Sequence, residues 1–529
     1  MMDIEILQQA INLTYQGKIK EAEELYRELL ENNPEESALL SAAGLFYVGI
    51  KNYKRAIELL KKACQIKETL GTVSALGFAM YEQKNYAEAA QTLEKALILG
   101  ENPDIYNKLI LSLFEVKNYK RAIELTDKMN ELYPDNPKSV ANLVKSYTQQ
   151  GKMLEAEKIC IDYLKKNPLN SSLWYHLGLL KELIYSDDIR AIECYKVAGE
   201  QGSISADYNI AVAYQKLGEY QEAEDYYKKY LQKFPYDNTG RVSLGMCYLA
   251  QKKFKEGYEL VYSRTGGVVS KYTKNLWKHG THLDKEIVVI SDQGFGDRIQ
   301  FVRYLPFLKE YNIKVAVNDS LKKLFKMNYP DIEFIDYDEI NPEVQSIRIT
   351  DLAYVLDMDF DNIPFAEGYL KAEPANIISD KKKIGLCWEA GSSGLRSLIN
   401  RTIHVKSFEP LFNLKNIQLY SFQVNDSFGG NEKYGDKMIN LSKDFKDFSD
   451  TACALKSMDV VVTVDTCIAH LAGALGITTY LLLPYSSDWR WFDCEKTTPW
   501  YQSVEIFKQK NAISWDDEIG EIVKNLSQL

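Results

Sequence analysis

The stretch 459–484, DVVVTVDTCIAHLAGALGITTYLLLP, decides the fold of the C-terminal half of the chain. Val460–Val464 is a β-branched run typical of a strand buried on both faces, and Thr479–Leu483 is a second buried run. Between them the pattern predicts a helix over 467–475, with Gly476 as its C-terminal cap. Strand, helix and strand in so short a span form a βαβ unit, so a parallel sheet is predicted.

A ligand pocket is predicted where the first of these strands ends. In open α/β sheets, ligands bind outside the carboxyl ends of the strands, and Asp465, Thr466 and Cys467 lie there. The free N–H groups and the positive dipole end of the following helix suit a phosphate group.

Composition excludes several classes of protein. At 529 residues, with 46% apolar and 12% aromatic residues, the chain is predicted to form more than one domain with large cores. The net charge of −10 argues against nucleic acid or an anionic membrane as the main partner. The eight cysteines are scattered without a CxxC pair, and no signal peptide or bilayer-length apolar run is seen, so a cytoplasmic protein with reduced thiols is expected.

The first half of the chain is a repeat array. Small residues recur every 32 to 35 residues, at Ala22, Ala56, Ala89, Ala122, Ala156, Ala191, Ala223 and Gly257. This is the tetratricopeptide period, so about eight helix pairs are predicted to stack into an α-solenoid over residues 1–268. Such arrays bind a protein or peptide, and a spacer or an oligomerisation surface is the alternative interpretation.

Alternating strands and helices follow a linker or docking segment at 269–284. They predict an α/β unit over 285–375 and a second over 380–529, each with its own core. A strand over 286–291 and an amphipathic helix over 297–308 open the first unit.

Two loops of these units have alternative interpretations. In the turn DQGFGD (292–297), Asp297 is either a catalytic base or an N-cap carboxylate that satisfies helix N–H groups. In the second unit, the glycine-rich loop 391–394 and the basic segment 396–401 follow a predicted strand. Glycine amides and arginines at a strand's end suit a diphosphate, whereas an ordinary flexible surface loop is the other interpretation.

Five motifs carry a family resemblance over most of residues 277–510. They are DQGFGDRIQFVRYLP (292–306), WEAG…NRTI (388–403), DFSDTACAL (447–455), VDTCIAHLAGALG (464–476) and LLLPYSSDWRW…PWY (481–501). With the repeats, they resemble bacterial tetratricopeptide proteins with a C-terminal GT-B glycosyltransferase domain. That domain is similar to ADP-heptose–lipopolysaccharide heptosyltransferases and more distantly to O-GlcNAc transferases. The sequence departs by having Cys467 where heptosyltransferases have glycine and by lacking a clear phosphate-binding lysine after Trp388, so Arg401 is a candidate substitute.

The resemblance implies two Rossmann-like units, with the acceptor on 285–375 and the nucleotide sugar on 380–529. It implies that Asp297 is the catalytic base and that Asp465, Thr466 and His470 contact the donor, although a lone histidine is equally often structural. The candidate donor-binding residues are Gly391, Ser392, Arg401, Asp465, Thr466, Cys467 and His470. The candidate residues of the acceptor side or pocket rim are Gln293, Gly294, Gly296, Gln300 and Arg490.

The resulting hypothesis is a cytoplasmic, metal-independent glycosyltransferase of hexosyl- or heptosyltransferase type. It would move a sugar from a nucleotide-diphosphate donor, with no other cofactor, to an acceptor that is expected to be a protein held in the groove of the repeats. Two alternatives remain: a protein-binding scaffold with an inactive transferase domain, and a glycan-building transferase whose repeats serve oligomerisation.

Overall fold

The computed structural model describes residues 4–134, 136–262, 271–278, 281–391, 401–492, 496–510 and 514–529. The chain divides into two compact units, Met1–Ala206 and Asp207–Leu529.

The predicted helix pairs are confirmed in the described part of residues 1–262. Sixteen helices follow one another and pack as consecutive pairs, such as α3 with α4 and α15 with α16. Their bounds are α1 Ile4–Tyr15, α2 Ile19–Asn32, α3 Ser37–Gly49, α4 Tyr53–Ile66, α5 Leu70–Glu82, α6 Tyr86–Leu99, α7 Pro103–Glu115, α8 Tyr119–Leu132, α9 Pro137–Gln149, α10 Met153–Lys166, α11 Ser171–Tyr185, α12 Asp188–Glu200, α13 Ala206–Lys216, α14 Tyr220–Lys233, α15 Asn238–Ala250 and α16 Phe254–Tyr262.

The small residues of the repeat period lie where paired helices approach most closely. The recurring alanines from Ala22 to Ala223 are all fully buried. A Cβ atom added at Gly257 would lie 2.7 Å from Leu249 Cγ, a distance that packed side chains do not adopt. The period therefore reflects a steric requirement of each helix pair.

The second unit contains two sheets, of which the first is a four-stranded parallel sheet with the order β3-β2-β1-β4. Its elements are β1 Glu286–Ile290, α17 Phe295–Phe301, β2 Asn312–Ala316, α18 Asp319–Asn328, β3 Glu333–Ile335, β4 Gln345–Arg348 and α19 Leu352–Val355. The predicted helix over 297–308 is wrong in part, because a 3₁₀ helix, Val302–Leu308, follows α17. Pro306 lies in this segment, and a proline lacks the N–H that an α-helix needs at this point.

In the described residues, the second sheet has seven strands in the order β10-β11-β9-β8-β5-β6-β7. There β10 and β11 pair antiparallel, and the other neighbouring strands pair in parallel. Its elements are β5 Lys382–Cys387, β6 Ile417–Ser421, α20 Gly430–Lys433, β7 Met438–Asn440, α21 Phe448–Lys456, β8 Val460–Val464, α22 Cys467–Ala474, β9 Thr479–Leu483, β10 Thr497–Thr498, β11 Tyr501–Lys508 and α23 Asp516–Ser527. The predicted βαβ unit is confirmed, since β8 and β9 pair in parallel and flank α22.

The described part of the predicted linker is docked on the first sheet. Trp277 donates its backbone N–H to the Ser346 carbonyl at 2.7 Å, and Ser346 donates to the Asn275 carbonyl at 2.8 Å. Trp277 is also buried in the core. The segment therefore extends the edge of β4.

The last helix pair of the array shares a core with the α/β region. We call the segment 488–492 the arginine loop. Its aromatic residues Trp489, Trp491 and Phe492 belong to the same buried cluster as Phe254 and Tyr258 of α16. The ring of Phe254 lies 5.6 Å from that of Phe492, and the ring of Tyr258 lies 6.3 Å from that of Trp489. The two α/β units therefore share this cluster with the last helix pair, and each also has a smaller buried cluster of its own.

Arg303, in the 3₁₀ helix that follows α17, is fully buried and bonds to elements beside both sheets. The Arg303 guanidinium donates to the Trp500 carbonyl at 3.1 and 3.2 Å and to the Pro364 carbonyl at 3.1 Å, and its Nε donates to the Gln300 carbonyl at 3.0 Å. It also lies over the ring of Tyr369, 4.4 Å from the ring centre. These contacts tie the two sheets together.

Within the described ranges, we find no helix that combines the length and the apolar character needed to cross a bilayer.

The shared core predicts how truncated proteins behave. A fragment of residues 207–529 keeps α14–α16 and is expected to unfold cooperatively. A fragment of residues 269–529 lacks Phe254 and Tyr258, and the loss of even one buried aromatic side chain costs about 3–5 kcal/mol. Thermal unfolding followed by circular dichroism is expected to show a lower melting temperature for the shorter fragment, or no cooperative transition. Equal melting temperatures would contradict the shared core.

Candidate functional site

The N-termini of two helices, one from each sheet, meet at the carboxyl ends of the strands. Helix α17 follows β1 and packs against α22, which follows β8. A Cβ added at Gly296 would lie 2.7 Å from Cδ2 of His470 and 3.7 Å from the Cα of Cys467. The predicted site residues beside the first sheet are therefore in direct contact with those beside the second sheet.

Asp297 is not the N-cap residue of α17, because Gly294 holds that position; Asp297 lies in the first turn, where it bonds to the N-cap backbone and forms an ion pair. Its Oδ2 accepts the backbone N–H of Gly294 at 3.1 Å, and its Oδ1 accepts a hydrogen bond from Nη2 of Arg490. Nη1 of Arg490 donates to Asp488 Oδ1 at 2.7 Å. The arginine thus bridges a carboxylate beside the first sheet and a carboxylate beside the second sheet.

The ion pairs of Arg490 shift the pKa values of the arginine and of Asp488 so that both groups stay charged. Burial opposes the charge of Arg490, but Asp297 and Asp488 together raise its pKa above the ordinary value. Burial would raise the pKa of Asp488, yet its ion pair and hydrogen bonds with Arg490 lower that pKa below the ordinary value. At neutral pH, this pairing favours the charged forms of Arg490 and Asp488.

A second arginine–aspartate pair lies at the end of β8. Nη1 of Arg401 is 3.7 Å from Oδ2 of Asp465, and 32% of the Arg401 side chain is exposed. Burial, followed by the negative charge of Asp488, raises the pKa of Asp465 to about 6, although Arg401 acts in the opposite direction. Arg401 is therefore a partly exposed cation beside a carboxylate that ionises with difficulty.

His470 is buried among aromatic rings. Its Nδ1 lies 3.0 Å from the hydroxyl of Tyr501, and its ring stacks on Trp491 with centroids 5.1 Å apart. Burial, and then the positive charge of Arg490, lowers the pKa of His470 to about 3. The imidazole is therefore neutral near pH 7 and serves as a packed wall of the site.

The predicted turn at the start of α22 is capped by its own threonine. Thr466 Oγ1 accepts the N–H of Ile468 at 3.1 Å and lies 4.0 Å from Cys387 Sγ at the end of β5. Burial raises the pKa of the Cys467 thiol to about 12, so it stays protonated. One of the helix N–H groups available in principle to a phosphate is therefore already bonded.

The remaining predicted residues lie at several places around these helices. Gln293 has a positive φ of 66° in the turn before α17, and Gly294 is the N-cap residue of that helix. Gln300 is fully buried on α17, and its side-chain amide has no hydrogen-bond partner among the residues that the structure describes. Gly391 is exposed after β5, whereas Ser392 lies outside the described residues.

The sequence pattern did not single out three residues that organise the site. Asp488 pairs with Arg490, Tyr501 meets His470, and Gln423 at the end of β6 accepts the backbone N–H groups of Trp388 and Glu389 at 3.0 and 2.9 Å. Asp488 and Tyr501 lie within the motif LLLPYSSDWRW…PWY (481–501), which carries the family resemblance but does not mark either residue individually. Gln423 had no comparable signal, because its role depends on the pairing of β5 with β6.

No cluster of three or more His, Cys, Asp or Glu side chains that could hold a metal ion occurs in the part of the chain that the structure describes. The polar groups brought together here are instead suited to hydrogen bonding and to the binding of charged groups.

The contact between α17 and α22 predicts the effect of a single methyl group. We expect Gly296→Ala to destabilise the protein by about 1–3 kcal/mol, because the new Cβ collides with His470 in a packed site. Gly520→Ala is the matched control, since this helical glycine in α23 has open space around its Cβ position. It should be neutral or slightly stabilising. Chemical denaturation of both variants is the measurement, and equal effects would contradict the close contact.

The neutral state of His470 predicts a pH dependence of stability. The imidazole has an ordinary pKa of 6.5 and a pKa of about 3 in the folded protein, so between these values the unfolded chain binds a proton that the folded chain does not. Its contribution to stability is therefore lost as the pH falls from 6.5 toward 3, at most by about 1.4 kcal/mol per pH unit. A His470→Gln variant cannot titrate here, so its stability should fall less steeply than that of the unmodified protein. Parallel stability curves would rule out this titration.

Comparisons with known proteins identify the repeats. Residues 15–96 match the family model described as anaphase-promoting complex, cyclosome, subunit 3, and residues 113–179 and 205–235 match tetratricopeptide-repeat models. Protein FlbA of Caulobacter vibrioides is 23% identical over 325 residues, which cover 53% of this chain and 53% of that protein. The chain thus spans about half the length of this curated relative.

Solved structures of repeat proteins are also similar. A tetratricopeptide repeat protein from Parabacteroides merdae has 15% identity and a TM-score of 0.43, with 46% of this chain and 97% of that chain covered. Yeast Tom70 has 20% identity and a TM-score of 0.40, with 46% and 54% covered. On the matched family models and the packed helix pairs, the N-terminal part of this chain is a tetratricopeptide-repeat array, followed by a region of parallel sheets.

Proposed function

We propose that the chain is a glycosyltransferase of the GT-B type that uses a nucleotide-diphosphate sugar. The observation that carries the proposal is the meeting of Asp297 from one α/β unit with Arg490 from the other, where two helix N-termini converge. Clefts between parallel α/β units bind nucleotide ligands at the carboxyl ends of their strands. A carboxylate and arginines where two such units meet are the groups that a displacement at a diphosphate-linked carbon requires.

The donor side of the proposed site is formed by Arg401, Asp465 and α22. In the structure Arg401 is paired with Asp465 and is partly exposed. A diphosphate would compete for Arg401, since a phosphate accepts charge-assisted hydrogen bonds from a guanidinium as a carboxylate does. The raised pKa of Asp465 favours this exchange, because its carboxylate gains a proton more readily than an ordinary aspartate when the arginine leaves.

The proposed reaction is a direct displacement. The acceptor hydroxyl gives its proton to Asp297, its oxygen forms a bond to the anomeric carbon, and the bond from that carbon to the diphosphate breaks. The electron pair of the broken bond leaves with the diphosphate. Arg490 is paired with Asp297 in the structure, so in the proposed reaction it would move toward the leaving diphosphate and free Oδ1 to accept the proton. The base role of Asp297 and its bond to the N-cap backbone are then compatible, since Oδ2 stays on the Gly294 N–H.

The repeats are proposed to recruit a protein acceptor. A cavity of about 560 Å³ in the first unit is lined by polar and apolar side chains, among them Asn142, Lys145 and His176. Such a surface suits a polypeptide, and recruitment raises the local concentration of the acceptor without changing the chemistry. A scaffold with an inactive transferase domain needs only this surface, and it is the competing function that the repeats support.

The test is donor turnover by two matched variants. The full-length protein is incubated with a panel of nucleotide sugars and chelator, with and without host lysate, and the released nucleotide diphosphate is measured. Asp297→Asn and Asp488→Asn each remove one carboxylate from Arg490 and are expected to lose comparable stability. Only Asp297→Asn also removes the proposed base, so its turnover should fall by about 10²-fold or more, beyond any fall in Asp488→Asn.

Equal losses in the two variants would assign Asp297 to the bond with the N-cap backbone and the ion pair alone. Absence of turnover with every donor, together with retained binding of a protein partner, would favour the scaffold.

A further inference from the structure

The arginine loop contacts the candidate site on one side and the last helix pair of the array on the other. Toward the site, Arg490 reaches Asp297 and Trp491 stacks on His470. Away from the site, the rings of Trp489 and Phe492 contact the last helix pair of the array. A shift of the loop therefore changes both sides together.

The contacts on the repeat side are aromatic and buried. Phe254 stacks on Phe492 with the ring planes 24° apart, and Tyr258 meets Trp489 edge-on at 90°. All four side chains belong to the same core cluster. Aromatic pairs of this kind contribute about 0.5–1.5 kcal/mol each beyond the area that they bury.

The backbone of the loop is held in an unfavourable conformation. Phe492 has φ 52° and ψ −157°, a region that residues with a side chain rarely adopt. Such a conformation costs on the order of 1–3 kcal/mol and persists only where the surrounding contacts impose it. Here the ring of Phe492 packs against both Phe254 and Trp500, and its centroid lies 5.9 Å from that of Trp500. The ring of Phe360 meets it edge-on, with centroids 5.0 Å apart.

We infer that Phe254 and Tyr258, which lie in the repeat array, are positioning residues for Arg490. They act through Phe492 and Trp489 and hold the arginine loop where Arg490 reaches Asp297. The last helix pair is thereby a structural part of the site as well as the end of the array. The effect on turnover rests on the proposed glycosyltransferase function, whereas the effect on the ion pair does not.

The inference is tested by a double-mutant cycle in the full-length protein. The melting temperatures of the unmodified protein, Asp297→Asn, Arg490→Gln and the double variant are compared. The part of the double variant's effect that is not the sum of the two single effects measures the coupling between the two side chains. The cycle is repeated in a Phe254→Leu background, in a Tyr258→Leu background and in a Tyr227→Leu background. Tyr227 is the matched control, because it is a buried aromatic residue of α14 whose ring contacts Tyr208 and whose hydroxyl donates to Gln215.

The coupling is expected to fall by roughly half or more with Phe254→Leu or Tyr258→Leu and to persist with Tyr227→Leu. Coupling that persists in all three backgrounds overturns the inference, as does coupling that is lost equally in all three. If Phe254→Leu does not fold, Phe254→Met, which keeps more of the volume, replaces it in the same cycle.

Turnover separates this inference from the proposed function. With an active donor, Phe254→Leu should lower kcat by on the order of tenfold or more at matched folded fraction, and Tyr227→Leu should not. If no donor is turned over, the proposed function fails, but the cycle without substrate still supports or overturns the positioning role. If donor is turned over and the coupling is unchanged by Phe254→Leu, the positioning role alone is wrong.

Discussion

The hydrogen bonds of the buried Arg303 guanidinium are the interaction on which the site depends. An arginine keeps its charge even when it is buried, so its N–H groups need acceptors and removal of those acceptors is destabilising. The carbonyls of Gln300, Pro364 and Trp500 provide them, and the ring of Tyr501 lies 5.0 Å from the guanidinium. Gln300 lies in α17 beside the first sheet, and Trp500 lies between β10 and β11 of the second sheet, so the guanidinium joins elements that belong to both sheets.

The geometry of the candidate site follows from that junction. Tyr501, held under Arg303, fixes the imidazole of His470, and His470 supports Trp491 in the arginine loop. Arg490 then lies between Asp297 and Asp488. In the structure both arginines of the site are neutralised by aspartates, so an anionic ligand would bind by exchanging partners with a carboxylate. A site of this kind selects ligands that offer a better acceptor geometry than an aspartate does.

The array and the α/β region are not independent modules along the whole chain. The first compact unit ends within the array at Ala206, and the remaining helix pairs belong to the unit that contains both sheets. Leu249, Phe254 and Tyr258 share their core with the arginine loop. The last pair therefore contributes side chains to the core of the α/β region, which explains why a boundary chosen from the repeat period differs from the boundary of the core.

The sequence by itself determined the helix pairs, the βαβ unit and the strand ends at which polar residues gather. Those features depend on contacts between residues close in the chain, such as the recurring alanines and the two buried runs that flank α22. It did not predict the 3₁₀ segment at Pro306 or the strands β4, β7, β10 and β11, several of which are short. Only the tertiary structure decided that Asp297 meets Arg490, 193 residues away, and that the aromatic rings of α16 brace the arginine loop. Local sequence patterns do not predict such pairs. The two partners lie far apart in the sequence and meet only when the elements that carry them pack against each other.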